Sequence, residues 1–224
     1  MKDNHKVIAI PDLHMPFHDS KTLSKVLEIV EKEKPTHVVQ LGDIADWYVF
    51  SRFARDVNYI TPENEVKKTR LLVNKFWNDV REAAPKKAKF IQIIGNHDVR
   101  FIKKCNIHLP EISILMPTLR DVLNIPEFVK VLDSEREHHK IGNVIYTHGF
   151  LSKSEKHMAH FNSNVVHGHL HSASLISDGK RWSMNCGNLA ATKKLPLQYT
   201  QSKVTRWSKA LGIITNNKPQ LILL

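Results

Sequence analysis

The chain has 224 residues, of which 42% are hydrophobic and 25% are charged, so it can bury a substantial core and does not belong to the disordered class. Its 33 basic and 22 acidic residues give a formal net charge of +11, and no segment approaches the length of a membrane span or of a signal peptide's apolar core. Its two cysteines, Cys105 and Cys186, exclude a disulfide framework and fit a reducing compartment. We therefore expect one soluble, cytoplasmic domain over residues 1–224.

The first predicted element is a short buried strand over residues 5–10, which is followed at once by Asp12 and His14. Ligands collect at the carboxyl ends of strands in open α/β sheets, and a carboxylate and an imidazole at such a place can bind a metal ion. The alternative is an ordinary turn in which Asp12 only caps the backbone. These two residues by themselves leave both interpretations open.

Residues 20–33 are predicted to form a helix with Ser20 as its cap, because the apolar residues of this stretch recur at i, i+3, i+4 and i+7. A second strand over residues 36–41 follows, which makes a β-α-β unit with a parallel strand pair. This strand ends at a glycine, and Asp43 then lies beside Asp12. Two carboxylates brought together repel each other unless a cation lies between them.

A short helix is predicted over residues 46–53 and a long one over residues 62–83. A third strand, over residues 90–94, again stops at a glycine, and Asn96 and His97 follow it. The amide oxygen of Asn96 can bind a metal ion. The apolar positions that the long helix is expected to bury are Leu71, Leu72, Phe76 and Val80.

Residues 112–128 are predicted to hold short helices interrupted by prolines, as a small insertion near residues 101–130 beside the site. A strand over residues 143–146 then delivers His148 to the same end of the molecule. A helix over residues 152–160 returns the chain to the next strand. The insertion is the part of the chain whose structure the sequence specifies least.

A strand that begins at Val165 stops at a glycine and presents His169 and His171. Residues i and i+2 of an extended chain point to the same side, so both rings are expected to face one site. His-x-His also occurs on ordinary solvated strands and turns, so the pair alone does not define a metal site.

The end of the chain is predicted to be β-structure. Residues 174–177 and 181–184 flank an Asp-Gly turn and form a hairpin, and residues 212–215 and 220–224 form closing strands that belong to a second sheet.

From Gly179 to Leu224 the chain has no acidic residue but eight basic ones, which are interleaved with aromatic rings. Cations together with rings that can stack suit nucleic acid as a partner. A basic surface over aromatic residues of the core is the alternative. The basic residues are Lys180, Arg181, Lys193, Lys194, Lys203, Arg206, Lys209 and Lys218, and the rings are Trp182, Tyr199 and Trp207.

Five blocks between residues 12 and 171 resemble, in order, the motifs of the calcineurin-like metallophosphoesterase superfamily, as a small stand-alone member of prokaryotic or phage type. The blocks are Asp12-x-His14, Gly42-Asp43, Gly95-Asn96-His97-Asp98, Thr147-His148-Gly149 and Gly168-His169-Leu170-His171. The resemblance implies an α/β fold, a four-layer α-β-β-α sandwich of two mixed sheets flanked by helices.

The resemblance also implies two divalent transition metal ions that share one bridging aspartate. One ion would bind Asp12, His14, Asp43 and His171, and the other would bind Asp43, Asn96, His148 and His169. A hydroxide between the ions would attack the phosphate ester. The resemblance favours manganese, and iron, zinc or nickel also suit this mixture of oxygen and nitrogen ligands.

Four further residues complete the predicted site. His97 is expected to give a proton or a hydrogen bond to the leaving oxygen, and the family pattern implies that Asp46 holds it. The alternative for Asp46 is a cap of the following helix. Arg100 and Asn188 are predicted to bind the substrate phosphate. The alternative for Arg100 is a solvated arginine, and Asn188 lies in a turn that departs twice from the family pattern.

The predicted function is hydrolysis of a phosphate ester, most specifically of a phosphodiester or nucleic acid. The segment from Gly42 to Tyr48 lacks the arginine that protein phosphatases of the superfamily carry there, which favours diesters. A phosphomonoesterase acting on proteins or nucleotides is the first alternative. A non-catalytic interaction module with the same fold is the second, and loss of ligands would mark it. The oligomeric state is not specified by the sequence.

Overall fold

Two mixed β-sheets pack against each other in the computed structural model, which describes residues 5–53, 56, 58–191 and 207–224. The first sheet has the strand order β11 (Lys218–Leu223), β10 (Ala210–Thr215), β1 (Lys6–Ile10), β2 (His37–Gln40), β3 (Lys89–Gln92) and β4 (Val129–Val131). The second has the order β5 (His138–Ile141), β6 (Val144–Thr147), β7 (Asn164–His167), β9 (Trp182–Asn185) and β8 (Ser174–Ser177). The helices are α1 (Ser20–Glu33), α2 (Pro62–Ala83), α3 (Arg100–His108), α4 (Leu119–Leu123) and α5 (Ser154–Phe161), with 3₁₀ segments at Tyr48–Phe50 and Pro110–Leu115.

The alternation of side chains along β1 shows how the layers form. Val7 and Ala9 point inward and join a buried cluster with residues of the second sheet, such as Tyr146. Ile8 and Ile10 point outward and join a cluster with α1 and α2. Helix α5 packs on β7, β8 and β9 of the second sheet. The predicted four-layer α-β-β-α sandwich of two mixed sheets is therefore confirmed.

Parallel pairing brings the ends of several strands to one edge. In the first sheet β1, β2, β3 and β4 are parallel neighbours, and in the second sheet β6, β7 and β9 are parallel neighbours. The carboxyl ends of β1, β2 and β3 therefore lie side by side, as do those of β6 and β7. The loops that follow these five strands carry every predicted metal ligand.

The prediction that the closing strands belong to a second sheet is wrong. β10 pairs antiparallel with β1, with Ile8 opposite Ile213, and β11 continues the first sheet outward from β10. The apolar pattern identifies both strands but does not select their partner, since the pairing joins residues about 200 positions apart in the chain. Strands β4 and β5 were not predicted, because their sequences, Val-Lys-Val and His-His-Lys-Ile, contain no run of consecutive apolar residues.

Helix α2 has the predicted bounds, but one of its four predicted buried positions is wrong. Leu71 is 68% exposed, whereas Phe76 and Val80 are buried. The buried stripe also contains Val73 and Trp77, and Leu71 lies on the opposite side of the helix from that stripe. The predicted short helix over residues 46–53 is the 3₁₀ segment Tyr48–Phe50.

The start of α1 also differs from the prediction in its cap. The side chain of Asp19, and not that of Ser20, accepts the backbone N–H of Thr22, at 3.0 Å. Asp19 also pairs with Lys209. Burial raises the pKa of Asp19, but the hydrogen bonds from Lys209 and Thr22 outweigh it and lower this pKa to about 2.

Asp19→Ala is expected to lower the free energy of unfolding by about 1 kcal/mol, because the helix loses its capping acceptor. Ser20→Ala is the matched control and should change it by less than about 0.5 kcal/mol. Since the folded-state pKa lies below the unfolded value of 3.8, the contribution of Asp19 is present above pH 3.8 and is lost as the pH falls through about 2. Urea denaturation of both variants measures the difference, and equal losses would show that Asp19 does not cap the helix.

No helix among the described residues combines the length and the apolar character that crossing a membrane would need.

Candidate metal centre

The first group of possible ligands lies where β1, β2 and β7 end. It consists of Asp12, His14, Asp43 and His171, and one potential ligand atom from each lies within 4.8 Å of those from the others. The Nε2 atoms of His14 and His171 are 3.2 Å apart, and His171 Nε2 is 3.3 Å from Asp12 Oδ1. Asp12, His14 and Asp43 are buried.

The second group shares Asp43 with the first and adds His148 and His169. His148 Nε2 lies 3.3 Å from Asp43 Oδ2 and 3.2 Å from His169 Nδ1. Asn96 is not part of this His/Asp group, but its Oδ1 lies 3.0 Å from the same His148 nitrogen. The structure therefore brings together all seven predicted metal ligands, in the two sets that the sequence analysis proposed.

The donor set fits metal ions on the evidence of its hydrogen bonds. His148 Nδ1 donates to the carbonyl oxygen of Leu41, at 2.9 Å, so Nε2 faces the cluster and is the atom that would bind a metal ion. His14 Nδ1 is likewise 2.8 Å from Asp46 Oδ1, which leaves Nε2 to face Asp43 and His171. Two carboxylates, one amide and four imidazoles are ligands that Mn²⁺, Fe²⁺ and Zn²⁺ accept.

The buried acidic and basic groups of the centre shift one another's pKa values. Burial lowers the pKa of His148, but the charge of Asp43 outweighs it and raises this pKa to about 10. Burial raises the pKa of Asp43, but the charges of His148 and His97 hold it well below its usual range. Burial and the charge of His148 lower the pKa of His169 to about 4.

Two glycines let the carboxylates take these positions. A Cβ atom at Gly95 would collide with Asp43 Oδ1, and one at Gly168 would collide with Asp12 Oδ2. Each glycine therefore allows a close approach between two strand ends, which explains why strands β3 and β7 are both followed by glycine-containing loops.

His97 lies beside the first group and is held from both sides. Its Nδ1 atom is 3.0 Å from Asp46 Oδ1, and its Nε2 atom is 2.9 Å from Arg100 Nη2. Arg100 Nη1 also donates to the carbonyl oxygen of Asp46, at 3.0 Å. A guanidinium can only donate, so Nε2 accepts and Nδ1 carries the proton that is shared with Asp46. Arg100 is therefore partly buried and makes two hydrogen bonds within the site.

The alternative role of Asp46, as a helix cap, is not what the structure shows. The backbone N–H groups of Tyr48 and Val49 donate to the carboxylate of Glu65, at 2.6 and 2.8 Å. Glu65 thus caps the 3₁₀ segment from inside the protein. Burial raises the pKa of Asp46, but hydrogen bonds with His14 and His97 outweigh it, and this pKa lies well below the usual range.

Asn188 is buried, and its side-chain amide makes hydrogen bonds with backbone groups. Its Nδ2 donates to the carbonyl oxygen of His171, at 3.2 Å, and its Oδ1 accepts the N–H of Ala190, at 3.0 Å. These contacts fix the turn that carries His171. Trp207 packs edge to face against the His171 ring, with 4.4 Å between centroids. Neighbouring loops thus hold this ligand in place.

The reason given for the orientation of His169 and His171 is wrong. β7 ends at His167, and the two ligands follow it with left-handed φ angles of 69° and 59°. The chain is therefore not extended there, and the rings enter different groups. The two histidines are brought to the centre by a tight turn and not by the period of a strand.

Sequence reasoning missed two buried polar features. Asp98 accepts the backbone N–H groups of Asp43, Ala45 and Gly95, at 2.8 to 3.0 Å, and so ties the loop after β2 to the loop after β3. His157 and His167 stack with 4.2 Å between ring centroids, beneath the loop that follows His148. Asp98 lies within one of the motif blocks, which is the one signal that pointed to it.

Two His/Asp clusters that share one aspartate at the strand ends of this fold are the arrangement that a phosphoester hydrolase with two metal ions would use. The model of the calcineurin-like phosphoesterase family, Metallophos, matches residues 5–203, and the chain belongs to this family. The predicted resemblance is therefore confirmed.

Among curated proteins, the chain is 27% identical to the Gene 54 protein of Mycobacterium phage D29, over 97% of this chain and 92% of that protein. It is 26% identical to the Gene 54 protein of Mycobacterium phage L5, with the same coverage. Among solved structures, a single mutant of Vps29 from Entamoeba histolytica has a TM-score of 0.48 at 11% identity, over 98% of this chain and 99% of that one. YfcE, a phosphoesterase from E. coli, has a TM-score of 0.42 at 14% identity, over 97% and 96%.

Proposed function

We propose that the protein is a dinuclear metal-dependent phosphodiesterase whose substrate is a nucleic acid or a related phosphodiester. The observation that carries the proposal is the pair of ligand groups that overlap at Asp43 beside the His97 and Arg100 pair. Asp12, His14 and His171 would hold one ion with Asp43. The second ion would be held by Asp43 together with Asn96, His148 and His169.

When bound, two divalent cations of this kind supply an acidified water and neutralise charge on the phosphate; manganese is the expected metal, with iron, zinc or nickel as alternatives. The remaining chemistry belongs to side chains of the protein. The Asp46 carboxylate, kept ionised by its hydrogen bonds, orients His97 through Nδ1. Protonated His97 gives its Nε2 proton to the departing oxygen.

Arg100 is proposed to bind a non-bridging oxygen of the phosphate. In the structure its guanidinium spans His97 Nε2 and the Asp46 carbonyl, so it is already directed toward the site. A phosphate oxygen would draw the guanidinium away from Nε2, because a charged acceptor makes the stronger hydrogen bond. Nε2 would then be free to act on the leaving group.

A preference for diesters is supported by the residue that follows Asp46. Where protein phosphatases of the superfamily place an arginine, this chain has Trp47, which is buried and donates its indole N–H to the carbonyl oxygen of Asp98, at 3.2 Å. It therefore provides no second cation for a dianionic monoester. The first alternative, a phosphomonoesterase, would have to rely on Arg100 alone beside the ions.

The nucleic-acid substrate is supported only in part by the basic end of the chain. Lys209 pairs with Asp19, Arg181 pairs with Asp178, and Trp182 packs against the inner core, so these residues serve the fold. Trp207 packs against His171, and Lys180 and Lys218 are exposed. The other predicted residues, Lys193, Lys194, Tyr199, Lys203 and Arg206, lie outside the described residues.

The proposal predicts that the Mn²⁺-loaded protein hydrolyses bis-p-nitrophenyl phosphate faster than p-nitrophenyl phosphate. The physical reason is the single phosphate-binding cation, Arg100, among the described residues of the site. Release of p-nitrophenol with each metal, and after chelation with EDTA, measures the ratio. The reverse preference would establish the phosphatase. Failure to hydrolyse either ester when two ions are bound would establish the non-catalytic module.

A further inference from the structure

A cavity of about 410 Å³ adjoins the candidate metal centre on the side of His97. Its volume falls within the range of roughly 300–1,000 Å³ that is usual for small-molecule sites. Part of its wall is formed by Asn96 and Arg100, which also belong to the metal centre. The rest of the wall includes Arg52 and Phe53, which follow the 3₁₀ segment, and Lys103 and Lys104 of α3. We call it the basic cavity.

The basic cavity has an excess of positive charge. Its lining, as far as the described residues define it, contains no carboxylate. Lys103 is paired with Glu135, at 2.7 Å, outside the lining. Arg52 and Lys104 are exposed, and no carboxylate of the described residues lies within 4.0 Å of either. Two cations are thus available for an anionic ligand.

The cavity also presents a flat aromatic surface. Phe53 is 42% exposed, and the guanidinium carbon of Arg52 lies 5.1 Å from the centroid of its ring. A ring with a guanidinium against it is the arrangement on which nucleic-acid bases stack. The cavity therefore combines the two features, cations and a stacking surface, that the backbone and the bases of a single strand require.

We propose that the basic cavity binds the nucleotide on the leaving-group side of the cleaved phosphate, and that the substrate is a single-stranded oligonucleotide. This rests on the proposed function, because it places the cleaved phosphate between the metal ligands and His97. The next base then stacks on Phe53, and the next phosphate contacts Arg52 and Lys104. A phosphorylated peptide would supply the charge but no regular succession of flat rings.

Binding can be measured without cleavage, with the metal-loaded protein and a fluorescein-labelled, phosphorothioate-linked oligothymidylate. By fluorescence anisotropy, Arg52→Gln combined with Lys104→Gln should weaken the affinity about tenfold and make the slope of log K against log salt less steep by about 1.4. Phe53→Ala should weaken it about tenfold through lost stacking. Lys25→Gln combined with Lys32→Gln removes the same charge from α1, which does not line the cavity, and should have little effect on the affinity.

The assignment of the cavity would be overturned if the two double variants bound the oligonucleotide with equal affinity. It would also be overturned if the Arg52 and Lys104 double variant lost affinity for a phosphopeptide but not for the oligonucleotide. A second measurement is the ratio of kcat/KM for the oxygen-linked oligonucleotide to that for bis-p-nitrophenyl phosphate, which should fall about tenfold in the Arg52 and Lys104 double variant. If the protein hydrolyses the small diester but the ratio is unchanged in the double variant, the proposed role of the cavity is contradicted and the proposed function stands. If it hydrolyses neither, the proposed function fails, and the anisotropy measurement still tests the cavity.

Discussion

Asp43→Asn is expected to remove both metal ions and to lower kcat/KM at least about 10³-fold, because loss of metal assistance costs several kcal/mol of transition-state stabilisation. Asp43 is the one residue that the two ligand groups share. The amide has the same shape but no charge, so it cannot offset the repulsion between two cations. Asparagine also tolerates the left-handed φ of 51° at this position, and its Oδ1 can still accept the N–H of His97.

Two comparisons make this prediction specific. Asn96→Ala affects only the second group, so we expect turnover to be lost while one of the two ions is retained. Asp79→Asn removes a carboxylate from the surface of α2, where it pairs with Lys75, and should leave both metal content and activity unchanged. Metal analysis by mass spectrometry, with circular dichroism to check folding, gives the stoichiometry. Two ions and full activity in Asp43→Asn would contradict the assignment of a shared ligand.

The parts of the fold that could be predicted are those that local sequence determines. Helix α2 was predicted to the residue, because Thr61 and Pro62 define its start and the apolar stripe ends before Pro85. Strands β1, β2 and β3 were predicted as short apolar runs, each within one or two residues of its bounds. The sheet to which β10 belongs could not be predicted, since it depends on a partner at the other end of the chain.

The site likewise has some features that local sequence determines and others that depend on distant residues. The residues that follow strand ends could be identified because four of the five strands stop at a glycine or a proline, and the five blocks occur in the order of a known family. Glu65 and Asp98 could not be assigned, because their carboxylates accept N–H groups from Tyr48 and Asp43, 17 and 55 residues away. Such contacts leave no periodic signal in the sequence. The roles of the ligands, of His97 and of Asp46 stay predictions until metal binding and kinetics are measured.

Asp98→Ala is expected to lower the free energy of unfolding by about 4 kcal/mol, since each buried N–H left without an acceptor costs about 1–3 kcal/mol. The carboxylate accepts three such groups, from Asp43, Ala45 and Gly95. All three belong to the loops after β2 and β3, which carry Asp43 and Asn96. The variant should therefore also bind metal about 10–100-fold more weakly, as is usual when groups that orient ligands are lost.

Urea denaturation in EDTA separates the two effects, because bound metal would otherwise add its own stabilisation to the folded state. Asp98→Asn keeps one carbonyl oxygen as an acceptor and should lose less stability than Asp98→Ala. Asp133→Ala removes an exposed carboxylate and should change the free energy of unfolding by less than about 0.5 kcal/mol. If Asp98→Ala were as stable as this control, the two loops would have to be held by other contacts, and Asp98 would have no part in placing the shared ligand.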